Sequence, residues 1–272
     1  MTTRRHKAIL ALALVLAFWC TPTVFVKYLM PHYDPFTQNF FRYGSSALFL
    51  MPWLFREVRR AQSSLGRREL VRLFWPSIPN VLSQTCWPLA LLWLYPAFVS
   101  LFSKSSILFS CVLALIFFPD ERWLFRSRRF LIGLALTLVG TLGLTLLRPD
   151  LEKTKVNFAV LLVLFSSFMW ASYSTAVKKF AAGIGSRVSF AVISLYTTLL
   201  LLLPALIWGD LGLLFKTPWH VNLILVISGI LCIGISHPLY YYAIKELGIT
   251  VCATMLLSTP LGALLLSHWL FG

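Results

Sequence analysis

The sequence predicts an all-α integral membrane protein, an inverted repeat of two five-helix units. It is a 5+5 helix bundle with nine transmembrane helices present and the tenth missing. Three observations predict it. Of the 272 residues, 58% are hydrophobic and 12% charged, a balance outside that of soluble domains. Apolar runs of about 18–24 residues recur along the chain, each long enough as a helix to cross a hydrocarbon core of about 30 Å. Two of these runs share a frame: Trp19 and Lys27 enclose seven residues, and Trp170 and Lys178 enclose seven more, 151 positions later.

The runs lie at 8–30, 36–55, 72–95, 97–118, 130–147, 156–177, 188–208, 221–243 and 250–271. They are too long for membrane strands and lack a barrel's alternation. The first begins with Arg4, Arg5 and Lys7 but exceeds a signal core and has no small-residue cleavage site before Tyr28, so it reads as a retained helix. Between the second and third, residues 56–72 form the one sizeable polar segment, a solvated loop with a short surface helix. The repeat continues past the opening frame. Trp87-Pro88 matches His237-Pro238 at an offset of 150, and Tyr95-Pro96-Ala97 takes the place of Glu246-Leu247-Gly248. The fourth run closes on Phe118-Pro119-Asp120-Glu121, the ninth on Leu270-Phe271-Gly272. The first unit, 1–150, therefore holds five spans and the second, 151–272, four. A unit with an odd number of helices is followed by a copy of opposite orientation, an architecture that recurs in transporters.

A net charge of +15 invites a nucleic-acid reading, but its placement excludes one. Most Lys and Arg fall at alternate ends of the spans: Arg4, Arg5 and Lys7; Arg56 to Arg72; Arg122 to Arg129; Lys178, Lys179 and Arg187; Lys245. Arg148, Lys153, Lys155 and Lys216 occupy the opposite loops. This positive-inside pattern places the N-terminus of a multi-pass membrane protein in the cytoplasm, and the bacterial inner membrane is its expected location. Lys178 reads as a topology anchor. The five cysteines all fall within spans, with neither metal-ligand spacing nor a disulfide framework. Gly133, Gly140 and Gly143 suit close helix packing, at a homodimer or bundle seam.

The chain resembles the EamA-type branch of the drug/metabolite transporter superfamily over essentially its whole length. The residues that carry the resemblance are Trp19-Cys20 with Lys27, Arg42-Tyr43 before GSSALFLMP, Trp170-Ala171-Ser172-Tyr173, and Pro260 with the ending Leu270 to Gly272. The departures are Cys20 where the family has glycine, LFSKSSILFS with Lys104 in place of a fourth-helix proline, and the missing tenth helix. The resemblance implies two five-helix bundles around a central cavity. It also implies alternating access and export of a small polar metabolite, an amino acid or a related compound. A lipid flippase or a non-transporting accessory protein is the alternative.

A charge at the centre of a span costs about 2.5–3.5 kcal/mol on insertion scales, so basic residues inside the spans stand out. A cationic lining from Arg42 and Lys104 would attract a substrate carboxylate. The structural alternatives are that Arg42 pairs with Asp34 or helix-end carbonyls, and that Lys27 snorkels to the outer interface. His237 precedes Pro238, which interrupts its helix ladder. Trp87-Pro88 matches it, giving paired kinked helices against the cavity. Trp19, Trp170, Tyr173 and Tyr241 complete the candidate site as aromatic wall residues. All acids lie in loops or at helix ends, with no HExxH, nucleophile–base pair or Walker motif. No enzyme chemistry, metal or cofactor is therefore expected. The expected partners are a small-molecule substrate and the lipid bilayer, without nucleic acid.

Overall fold

The computed structural model of the chain describes residues 2–60, 65–90, 92–94, 99, 102–128, 130–133, 135, 136, 139, 158–259 and 262. All regular structure among the described residues is helical. Four helical stretches are long and apolar enough to cross a membrane: Thr3–Leu29, Phe158–Phe180, Ser186–Trp208 and Trp219–Leu247. Shorter apolar helices cover Ser103–Phe117 and Ile249–Ser258.

The first span is broken. α1 (Thr2–Trp19) ends just before α2 (Pro22–Leu29). Pro22 has no N–H to return to the Phe18 carbonyl, and the Thr21 hydroxyl donates to that carbonyl instead at 2.7 Å. α3 (Pro35–Val58) is capped by Asp34, whose carboxylate accepts the amides of Phe36 and Thr37 at 3.0 and 2.9 Å, and Pro35 presets the first turn. α4 (Arg67–Phe74) is the short helix expected in the basic loop, with Glu69 accepting the Gly66 amide at 3.1 Å. α5 (Ser77–Ala90) follows. Within the fourth span, expected as one helix over 97–118, Ser103–Ser105 tighten into a 3-10 turn before α6 (Ser106–Phe117). Its serines account for the change. Ser103 and Ser105 donate to the carbonyls of Val99 and Phe102, both at 2.6 Å, in competition with the backbone ladder. Most of the fifth span, and Tyr95-Pro96-Ala97, Pro260, Gly140, Gly143 and Leu270 to Gly272, lie outside the described residues.

α7 (Phe158–Phe180) and α8 (Ser186–Trp208) carry their polar face inward. On α8, Ser189, Ser194 and Thr197 are buried while Leu199, Leu203, Leu206 and Ile207 are exposed, the pattern of a helix whose outer solvent is hydrocarbon. α9 (Leu213–Lys216) is a single turn. The last long span joins α10 (Trp219–Gly229), a π-helical stretch at Ile230–Ile235, and α11 (Ser236–Leu247). The wider π-turn accommodates Pro238, and the Ser236 hydroxyl bonds the Leu231 carbonyl at 2.6 Å. α12 (Ile249–Met255) follows Gly248, whose φ of +90° is closed to most side chains.

The interior is held by small polar residues bonding across helices. Tyr43 donates to Asn80 at 3.2 Å and Asn80 to Thr197 at 3.1 Å. Ser46 meets Ser194 at 3.2 Å and Ser83 meets Ser166 at 3.1 Å. At Gly229 the backbones of α10 and α3 touch, and any Cβ there would collide with the Arg42 carbonyl.

Several contacts join positions separated by the repeat offset. Trp19 and Trp170 pack edge to face with ring centres 5.4 Å apart. Ser194 donates to the Tyr43 carbonyl at 3.5 Å, and Lys104 to the Leu256 carbonyl at 3.5 Å.

Candidate functional site

A cavity of about 230 Å³ lies among α1, α3, α5, α6, α7, the π-helical stretch, α11 and α12. Six of the eight residues singled out from the sequence line it: Trp19, Arg42, Trp87, Lys104, Trp170 and His237. Tyr173 and Tyr241 do not. They are fully buried behind His237, and their hydroxyls bond one another at 2.6 Å.

Trp19 sits where α1 breaks. Its indole N–H donates to the Cys232 carbonyl in the π-helical stretch at 3.0 Å. Its ring also packs near Tyr240 and His237, at 4.9 and 5.3 Å between centres. The two tryptophans of the repeated frame thus share one wall. His237 stacks on Phe190 with ring centres 4.7 Å apart and planes at 14°. It is 3% exposed, and neither ring nitrogen makes a well-formed hydrogen bond among the described residues, although the carbonyls of Ile233 and Cys232 stand close enough to act on the ring. A neutral imidazole there carries one free donor and one free acceptor, and such groups in protein interiors are rare enough to need a reason. The paired prolines differ in setting. Pro238 lies inside a continuous span, whereas Pro88 stands two residues before α5 ends at Ala90.

The cationic residues are placed otherwise than pairing within the sequence suggested. Arg42 does not bond Asp34. That carboxylate is occupied by the α3 cap and by the Asp210 amide at 3.1 Å. Arg42, 4% exposed, directs Nε to the Ser228 hydroxyl at 3.1 Å. Lys104 directs Nζ to the Thr259 hydroxyl at 2.6 Å. Lys27 is exposed on α2 and does not line the cavity.

No Asp or Glu is among the described lining residues. The carboxylates with a described place are committed elsewhere. Glu57 pairs with Arg60, Asp210 with Lys216, and Asp120 and Glu121 with Lys178. Asp34 and Glu69 cap helices, and Glu246 stands in the last turn of α11. Two cations in the cavity wall represent about 5–7 kcal/mol of insertion cost, and their partners include hydroxyls, a carbonyl and, for Arg42, the Cys232 sulfur, with no carboxylate among the described residues.

Sequence reasoning missed several lining residues. Tyr43 was quoted only as the partner of Arg42 in a motif. Gln84, Ser110 and the pair Ser166-Ser167 also line the cavity. Serine in a membrane helix commonly bonds its own backbone, as Ser167 does to the Val163 carbonyl at 2.8 Å, so its type alone does not mark a site.

Spanning helices that are polar inside and apolar outside, with a cavity lined by polar and aromatic side chains between them, define a multi-pass membrane protein built to handle a small molecule. The profile of the EamA-like transporter family matches residues 6–146 and again 157–272. The chain belongs to this family of membrane transporters, and its two-repeat architecture fits. One solved crystal structure of a protein aligns over 98% of this chain and 89% of its own, with a TM-score of 0.75 at 19% identity; at that identity it speaks for the fold. No curated protein matches the sequence.

Proposed function

We propose that the protein is a secondary transporter that moves a small polar metabolite, an amino acid or a related compound, out across the bacterial inner membrane. The observation that carries this reading is the cavity, with Arg42 and Lys104 in its wall and no carboxylate among its described lining residues. Desolvated cations of this kind hold an anionic group more strongly than the same groups in water.

Two oppositely oriented units, 1–150 and 151–272, would expose the cavity alternately to the two sides. The contacts at the repeat offset support this arrangement. With the N-terminus in the cytoplasm, the loop around Asp120 also faces the cytoplasm. There Lys178 of α7 bonds Asp120 and Glu121 at 2.8 and 2.7 Å, and Glu121 accepts the amides of Ile249 and Thr250, both at 2.8 Å. This cluster ties the ends of α6, α7 and α12 together. It lies about 12 Å beyond the level of Ser110 at 1.5 Å per residue. Alternating access would open and reclose it.

Export from cells, and counterflow in proteoliposomes, screened over amino acids and related metabolites, tests the reading. Arg42→Ala and Lys104→Ala should each lower flux of the transported compound by about 10- to 100-fold, the equivalent of a charge-assisted contact of about 1.5–3 kcal/mol. The amount of protein in the membrane should stay the same. Undiminished flux in both variants would remove this cavity from the route.

A further inference from the structure

The charge balance of the cavity narrows the ligand beyond "small and polar", and the argument rests on the transport reading above. A zwitterionic amino acid brings one carboxylate and one ammonium group. The carboxylate has two cations to choose from, Arg42 and Lys104. The ammonium has no carboxylate to face among the described lining residues. It would meet two like charges in a low-dielectric space, where repulsion is weakly screened. The wall does offer a match for an uncharged polar group. His237 is nine-tenths buried, lines the cavity and makes no well-formed hydrogen bond among the described residues, its nearest acceptors being the carbonyls of Ile233 and Cys232. Its N–H would suit an oxo or hydroxyl oxygen. Trp19 and Trp170 beside it supply an apolar surface for a short carbon skeleton.

We infer that the preferred ligand is a small organic anion without an ammonium group, a carboxylate bearing an oxo or hydroxyl oxygen, rather than the zwitterionic amino acid of the same skeleton. The carboxylate sits with Arg42 and Lys104, the oxygen with His237 and the skeleton against the tryptophans.

The test compares oxo acids with their amino acids on one skeleton: 4-methyl-2-oxopentanoate against leucine, phenylpyruvate against phenylalanine, and 2-oxoglutarate against glutamate. Binding to the purified full chain in detergent is read from the rise in Tm with ligand concentration, and flux from counterflow in proteoliposomes. In at least one pair the oxo acid should bind fivefold or more tightly than its amino partner. That affinity should fall tenfold or more in Lys104→Met and in Arg42→Ala, and largely return in Arg42→Lys, which restores the charge and guards against misfolding as the cause. Tighter binding of the amino partner in every pair overturns the inference, as does oxo-acid affinity unchanged in the variants, or no binding of any oxo acid. The two readings separate cleanly. Arg42-dependent counterflow of an amino acid but of no oxo acid overturns the inference and keeps the transport reading. Arg42-dependent oxo-acid binding with no flux of any compound keeps the inference and overturns the transport reading.

Discussion

Lys178 at the end of α7 and the pair Arg42 and Lys104 in the cavity wall are all cations set into the helix bundle, yet their surroundings are opposite. Lys178 bonds two carboxylates and lies over the Phe118 ring at 4.1 Å. One of those carboxylates, Glu121, also caps the first turn of α12 through two backbone amides. Arg42 and Lys104 have hydroxyls for partners. Among the described residues, charge is neutralised where the ends of α6, α7 and α12 meet and faces no carboxylate in the cavity wall. Changes at the cluster should therefore cost stability, and changes in the cavity should cost transport.

The largest effect should come from Glu121→Ala. It strips Lys178 of its buried partner and leaves two amides of α12 without an acceptor. Breaking a buried pair of this kind costs about 3–5 kcal/mol, which a thermal melt in detergent should register. A melt within a degree of wild type would erase the contrast. Next is Lys104→Ala, where the flux loss should come with an unchanged or raised Tm, because an uncompensated charge is being removed. A Tm loss as large as that of Glu121→Ala would show that Lys104 is structural. Gly248→Ala should cost about 1–3 kcal/mol. A Cβ at φ +90° is strained and would come within 2.9–3.1 Å of the Glu121 carboxylate.

Asp120 should give the smallest change. Its side chain is 68% exposed, so Asp120→Asn should cost at most about 1 kcal/mol. Lys178, bonded to it, holds its carboxyl below the usual carboxylate range. A depressed folded-state pKa contributes stability that is present above the unfolded value of about 3.9 and lost as pH falls through the lower folded value. Asp120→Asn should remove that part of the acid-side decline, and melts between about pH 5 and pH 2 would read it.

Much of the site was legible because repeat-related marks point to one place. Trp19 and Trp170 were set apart by spacing alone, and the structure brings their rings together. Trp87 and His237, matched only by the prolines after them, line the same cavity. Arg42 and Lys104 stood out because charge inside an apolar run is costly. Other features left no local trace. Lys178 read as a topology anchor because Asp120 and Glu121 lie more than fifty positions away in sequence. Tyr173 and Tyr241 looked like wall residues as good as the tryptophans. Their mutual hydroxyl bond turns them into packing behind the wall.

By itself the sequence determined the helical membrane class, the doubling of the unit and the presence of unusual cations within it. Hydrocarbon thickness sets the length of an apolar run, and duplication leaves a constant offset; both are one-dimensional quantities. Only the tertiary structure decided which polar groups satisfy one another and which are left facing the cavity. A hydroxyl or a ring nitrogen is bonded or free according to what other helices place within about 3 Å of it. That distance is fixed by packing between segments that can lie 213 residues apart, as Trp19 and Cys232 do.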